Sequence, residues 1–506
     1  MLYAFGASSG QPRQQFHSEV SWADVGVTTN AVALGRGFLV AVNSLTDSLY
    51  NSNRVLMTET VMMMKEKIID TYGEVRYVMG NGCSGGSIGQ LTAASIFPGL
   101  LDGIQPTCTY PDAETTGIEV GDCAVLVRFY ASSSTWATLM NGKTVDEVNA
   151  KKAAINGHVD QTGCHAWVNL FSNLGRPGNY TPMGVLDDNT GQIVPVGAPR
   201  NNCALPASMV YNPVTKPDGV RCTGPDHAVA IYGKAKGTNR ANTTTDNVGV
   251  QYGLKAFLSG AITPEEFVVL NENIGGVDAD SNPTTARSHA DPDGLAAVYR
   301  AGIVSDGHHL AKTPILDLRG YDDTKKVQGA FGIHHVWRSF ALRARLDAAN
   351  GNHANHVMWR YQPVLVAVQS PDPATASLAM QSFLMMDQWL SAMKADASSM
   401  ALENKIAAHR PDAAFDFCNK LSDPTHSVRV TDSAICDSDP LLKPHASPRQ
   451  IAGGPLAENI LKCQLRPINR ADYNPIGLSD DQFNRLNAVF PDGVCDFSRP
   501  GVGQQD

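Results

Sequence analysis

Residues 82–86 read Gly82-Cys83-Ser84-Gly85-Gly86, a match to G-x-S-x-G. The chemistry served by this pattern is attack by a serine hydroxyl. A nucleophile on a tight strand-to-helix turn sits at strained φ/ψ, and its neighbours two residues away must be nearly free of side chain. Gly82 and Gly86 meet that demand. Such a turn exposes the Ser84 hydroxyl at the end of the strand, and the helix N-terminus behind it aims the Gly85 N–H at a developing oxyanion. The flanks agree, with Val75–Met79 reading as a strand and Ile88–Ile96 as a helix. The rival reading is a phosphate-binding glycine loop. No lysine follows at Walker spacing, and Gly80, Gly82 and Gly85 mimic G-x-G-x-x-G only loosely.

A serine nucleophile needs a second oxyanion donor, an acid and a base. The donor is expected from a loop after an earlier strand. Gly6-Ala7-Ser8-Ser9-Gly10 follows the apolar run Leu2–Phe5, so Ala7 or Ser8 would supply it, and Ala7 is taken here; the alternative is an ordinary Gly/Ser turn. The acid should follow a later strand. Asp317 lies inside the strand Thr313–Leu318 and suits a polar contact there, whereas Asp322 and Asp323 lie in the exit loop. Hydrolases often place the acid three residues after a glycine, which favours Asp323, three after Gly320, over Asp322. The base must reach Ser84 through Nε2 while Nδ1–H bonds the carboxylate. His334, His335, His353, His356, His409, His426 and His445 all lie beyond the acid loop, and position alone leaves the choice open.

The elements that must hold these groups alternate. Gly37–Val42 and Gly103–Thr107 read as further strands. Arg54–Tyr72 reads as a helix, with Met57, Val61, Met64 and Ile68 at a 3.6-residue period and Gly73 as a stop. Alternation of this kind predicts an α/β fold, a mostly parallel sheet covered on both faces. Residues 126–305 break the rhythm and are rich in Asn, Gly, Thr and Pro, with Cys164, Cys203 and Cys222 as candidate staples. They read as a lid or substrate insertion. After it come the strand Thr313–Leu318, a helix over Ile333–Ala349, the strand Val357–Tyr361 and an amphipathic helix over Thr375–Lys394. The expected organisation is therefore a core in two parts, 1–125 and 306–400, around the insertion 126–305. A disulfide-stapled extension over 401–506 follows, with Cys418, Cys436, Cys463 and Cys495.

Composition narrows the function. The chain has 506 residues, 43% hydrophobic and 18% charged, which is a globular balance. Its net charge of −9 and lack of a basic block argue against nucleic acid as a partner. No apolar run approaches the roughly 18 residues of a membrane span. Ten scattered cysteines with no C-x-x-C pair favour disulfides in an oxidising compartment over zinc. The first residues already form a strand, so the start reads as a cut rather than an export signal. Asp278-Ala279-Asp280-Ser281-Asn282 begins like a calcium loop, but Pro283 and His289 occupy the positions of its glycine and last acid, so a polar loop is expected. Asn179 and Asn242 match glycosylation acceptors. No metal and no cofactor are expected.

At Gly82–Gly86 the sequence resembles the tannase/feruloyl-esterase branch of the α/β hydrolases, whose nucleophile also follows a cysteine. The wider pattern is similar to a bacterial group of secreted tannase-like hydrolases. That likeness rests on Asn81–Ile88, on Ile333-His334 with Ser339–Leu346, and on Gly493–Gln504, and spans the whole chain. The resemblance implies an α/β-hydrolase fold, an insertion over the site, ester cleavage, export and sheet strands upstream of Met1. It also selects His334 as the base. Tannases join the cysteine before the serine to a cysteine beside the catalytic histidine. The only His–Cys neighbours here, Cys164-His165, stand in reverse order and before the acid, so the resemblance assigns Cys83 no partner.

The expected activity is thus a secreted or periplasmic serine esterase using Ser84, His334 and Asp323, with Gly85 and Ala7 as oxyanion donors. Its substrate would be a bulky small-molecule or polymeric ester. An amidase or peptidase with the same triad, and a non-catalytic binding protein on this scaffold, are the alternatives.

Overall fold

The computed structural model describes residues 1–11, 32–181, 185–186, 193–194, 198–327, 329–361, 373–419, 428–440 and 442–504. Seven strands form one sheet: β1 (Leu2–Ala4), β2 (Val40–Ala41), β3 (Met79–Cys83), β4 (Gly103–Thr107), β5 (Ile315–Gly320), β6 (His356–Tyr361) and β7 (Phe417–Cys418). Their spatial order is β7-β6-β5-β4-β3-β1-β2, and every pairing is parallel. The chain leaves β1 for the edge strand β2 and returns to β3 on the other side of β1. The order therefore reverses at β1, which opens a crevice beyond the C-terminal ends of β1 and β3.

Alternation along the strands builds two cores. Tyr3 and Ile315 face helices α1 (Arg54–Tyr72), α2 (Gly85–Ile96) and the later helix 337–350 through Met57, Val61, Leu91, Leu342 and Leu346. Leu2, Leu316 and Trp359 face the other way, onto Phe383, Met386 and Trp389 of the helix 373–395. A sheet covered on both faces is the expected α/β arrangement. Helix α1 starts where the Asn53 side chain accepts the Leu56 N–H and stops at Gly73, whose φ of 93° suits glycine.

Between β4 and β5 the chain builds a second body. Helix α3 (Ala113–Ser132) and helix α4 (Thr162–Phe171) are joined by the Cys123–Cys164 disulfide. Phe129, Trp136, Tyr252, Phe257 and Phe267 share one core with Tyr473, Leu486 and Val494. The C-terminal segment therefore packs into the core of the preceding insertion. Helices α5 (Trp337–Asn350) and α6 (Pro373–Ala395) complete the layers around the sheet.

All ten cysteines pair: Cys83–Cys108, Cys123–Cys164, Cys203–Cys222, Cys418–Cys436 and Cys463–Cys495. Among the described residues no helix is long and apolar enough to cross a membrane.

Several boundaries differ from expectation, among them the strand expected at Gly37–Val42, which is Val40–Ala41, and the helix expected at Ile88–Ile96, which starts at Gly85. The strand before Ser84 is Met79–Cys83, not Val75–Met79. Its glycines read as loop, but they pair in register with Gly103–Thr107. The strand after the insertion ends at Gly320, because it pairs through Tyr361 on β6. Helix α5 begins at Trp337, not Ile333, because backbone N–H groups of residues 331–334 are held by a carboxylate instead of by helical carbonyls.

Candidate active site

Ser84 follows β3 and precedes α2 at φ 57° and ψ −116°, a strained conformation for a residue with a side chain. Its N–H donates to the Thr107 carbonyl at 3.0 Å, and its own carbonyl accepts the Ser87 hydroxyl at 2.7 Å. The glycines around it are required by close approach. A Cβ on Gly82 would lie 2.7 Å from the Phe5 carbonyl oxygen, one on Gly86 would collide with the same oxygen, and one on Gly85 would collide with the Ser8 carbonyl. The loop after β1 therefore packs directly against the turn. That loop is stitched to residues 46–48 by Gly6 N–H to Thr46 O at 3.2 Å and Gly10 N–H to Ser48 O at 3.1 Å. Ala7 lies inside it, and Ser8 takes a positive φ of 70°.

His334 is the histidine that the fold brings to Ser84, with Nε2 3.0 Å from Ser84 Oγ. Its Nδ1 lies 2.7 Å from Asp322 Oδ2. The favoured acid, Asp323, is not the one that reaches it. Asp322 is wrapped by the chain that follows, accepting the N–H groups of Phe331, Gly332, Ile333 and His334 at 2.5, 2.8, 3.3 and 3.0 Å. Successive side chains of an extended exit loop point to opposite sides, so Asp323 turns away and accepts the Val336 N–H at 2.8 Å at the start of α5. Its second oxygen is buried without a partner, and burial pushes the carboxyl up to about 7.

The histidine is fixed from behind. Arg319, buried inside β5, donates to the His334 carbonyl at 2.9 Å, to the Ser339 hydroxyl at 2.8 Å and to the Thr109 carbonyl. Tyr110 donates to the Ile333 carbonyl at 2.7 Å and sets its ring 5.5 Å from the imidazole. The Cys83–Cys108 disulfide ties the end of β3 to the end of β4 beside this pair. Cys83 is thus bonded, but to a cysteine just past the end of the neighbouring strand.

The remaining candidates are occupied elsewhere. Asp317 accepts from Thr109 at 2.6 Å and lies 3.3 Å from His356, the polar contact expected of it. His353 lies beside Asp347, His409 beside Asp396 and His445 against the Pro440 carbonyl. His426 lies outside the described residues. Asp280 pairs with Arg221 at 2.6 Å. Asn242 is buried, with its amide donated to the Tyr232 carbonyl, and is inaccessible as a glycan acceptor; Asn179 is exposed.

A buried group behind α5 escaped sequence reasoning. Glu119 of α3 receives His158 at 2.7 Å, His335 at 2.9 Å and Arg338. Burial opposes its charge, but Arg338 and His335 outweigh burial and hold Glu119 well below the usual carboxylate range. Burial likewise opposes charge on His335, yet Glu119 raises it. Burial lowers His158 to about 4. The same three residues have ligand-like spacing, but Arg338 already meets the Glu119 charge. Two other such clusters contain cysteines that are disulfide-bonded.

Ser84 opens into a cavity of about 370 Å³. Ile88, Tyr110, Ile118, Val120, Trp167 and Phe171 give it an apolar wall from α2, the loop after β4, α3 and α4. Gln11, Ser52, Arg54, Glu114 and Tyr232 give it a polar one.

A parallel seven-stranded sheet with helices on both faces and five disulfides defines a disulfide-bonded α/β protein. The chain belongs to the tannase-like family of unknown function DUF6351, whose profile matches residues 1–506. That membership implies a hydrolase of the esterase type. No curated protein and no solved structure matches the chain.

Proposed function

We propose that this protein is a serine carboxylic-ester hydrolase in which Ser84 is the nucleophile, His334 the general base and Asp322 the acid. The observation that supports it most directly is the continuous contact Ser84 Oγ–His334 Nε2–His334 Nδ1–Asp322 Oδ2, at 3.0 and 2.7 Å. With Asp322 accepting, Nδ1 carries the proton, which leaves Nε2 free to accept the Ser84 hydroxyl proton. Ser84 attacks the ester carbonyl, the tetrahedral oxyanion forms, and the imidazolium returns its proton to the departing alcohol. Water, activated by the same imidazole, then releases the acid.

The oxyanion is held by the Gly85 N–H, the first of α2, which has no helical carbonyl one turn back. The second donor is the Ala7 N–H, on the loop packed against the turn. The apolar wall of the cavity suits a bulky acyl or alcohol group. The five disulfides support an oxidising, extracytoplasmic setting.

The test is incubation of folded protein with p-nitrophenyl esters, the matching anilides and an organophosphonate. Ester turnover and a phosphonate adduct on Ser84 are expected, with the anilide slower. Absence of both turnover and adduct would overturn the reading.

A further inference from the structure

Arg54 lines the same cavity as Ser84 and is the first residue of α1. A cation there faces the positive end of the helix dipole, so helix stability does not explain it. The residue is 5% exposed. Nη1 donates to the Ser48 hydroxyl at 2.8 Å, and that hydroxyl donates to the Gly85 carbonyl at 2.8 Å. The guanidinium is therefore braced against the nucleophile turn. Its Nε is buried and makes no hydrogen bond, and among the described residues no carboxylate forms an ion pair with it.

Glu114 is the acidic side chain whose charge it senses, but Glu114 is committed to Tyr232 and to Thr244 at 3.1 Å. Burial pushes Glu114 up to about 7, so around neutrality it offers Arg54 only a partial counter-charge. Burial lowers Arg54 only to about 10, so it stays cationic there. Gln11 Oε1 and Ser52 Oγ, also buried and without partners, belong to the same wall. A buried cation without a counter-ion is costly unless a ligand supplies one. A guanidinium edge suits a planar carboxylate.

We propose that Arg54 is a specificity-determining residue that binds a free carboxylate on the substrate, so that the preferred esters carry a second, ionised acid group at the end of an apolar body. This rests on the esterase reading above. The carboxylate can belong to the acyl or the alcohol half, and two substrate series separate these. One is mono-p-nitrophenyl esters of straight-chain dicarboxylic acids against p-nitrophenyl alkanoates of equal length. The other is butyrate esters of ω-hydroxy acids against butyrate esters of the matching alkanols.

In one series the carboxylate substrate should exceed its neutral counterpart in kcat/KM by roughly tenfold or more, mainly through KM. Arg54→Gln should collapse that ratio by about 10- to 100-fold, and Arg54→Lys should restore part of it. A ratio at or below one in both series, or a ratio unchanged in Arg54→Gln, overturns the proposal. Calorimetry of the same pairs on Ser84→Ala needs no Arg54 variant and no turnover. Tighter binding of the carboxylate member is expected, and equal binding overturns the subsite. Phosphonate labelling of Ser84 without any carboxylate preference would sink the subsite alone. Carboxylate-selective binding without labelling would sink the esterase reading alone.

Discussion

Nδ1 of His334 lies 2.7 Å from Oδ2 of Asp322, while Asp323, the next residue, bonds the Val336 N–H on the far side of the loop. One step along the chain thus separates a residue that orients the imidazole from one that begins a helix. Asp322→Asn should lower kcat by about 10³- to 10⁴-fold with little change in KM, because the amide favours the wrong tautomer. Asp323→Asn keeps an acceptor for Val336 and should leave kcat within a few-fold. Parallel steady-state kinetics of the two variants decide this, and a larger loss from Asp323→Asn would refute the assignment.

In the proposed mechanism Ser84 and His334 act on one proton, so their contributions should not add. Ser84→Ala and His334→Ala are each expected to lower kcat by about 10⁴-fold or more, and the double variant by no more than the worse single one. A double variant whose loss is the product of the singles would show that the two residues act independently.

Asp323 also predicts a pH dependence of stability. Its folded carboxyl is pushed up to about 7 by burial, above an unfolded value of about 4. Between these values the native state holds a proton that the unfolded chain releases, so this group's contribution falls as pH rises from about 4 to 7. Glu458, also raised to about 7 by burial, acts in the same direction. Asp323→Asn cannot ionise and should gain on the wild type as pH rises. Thermal unfolding at pH 5 and pH 8 measures it: the variant's Tm advantage should be larger at pH 8. An advantage larger at pH 5 would contradict the sign.

Glu119 is the counter-charge for Arg338 and His335 in a fully buried site. Glu119→Gln leaves three buried partners, His158, His335 and Arg338, facing a neutral amide. It should destabilise the fold by about 3–5 kcal/mol, measured as a shift in the denaturant midpoint. Since His335 follows His334, kcat should fall as well. Unchanged stability would mean that the cluster is not braced by charge.

The strained turn at Ser84 is legible in the sequence because its requirement is local. Gly82, Gly85 and Gly86 are adjacent in sequence to the residue whose backbone they permit, and the strand and helix that flank it are periodic. The Arg54–Tyr72 helix and the Gly103–Thr107 strand were legible for the same reason. Only the family resemblance points to His334, since a histidine 250 residues from Ser84 has no local signature. The glycines of β3 read as loop from the sequence, and only pairing with β4 makes them strand.

What the sequence determined by itself is the set of short-range constraints: the alternation that makes a covered parallel sheet, the glycines around Ser84, the even cysteine count. Tertiary structure alone sets Asp322 rather than Asp323 against His334, joins Cys83 to Cys108 and leaves Arg54 in the cavity without an ion-pair partner among the described residues. The reason is physical. Which way a side chain points from an exit loop, which sulfurs meet and which charge lacks a partner depend on segments brought together only by folding. Here one of those segments, the four N–H groups of residues 331–334, closes around Asp322 and sets His334 against Ser84.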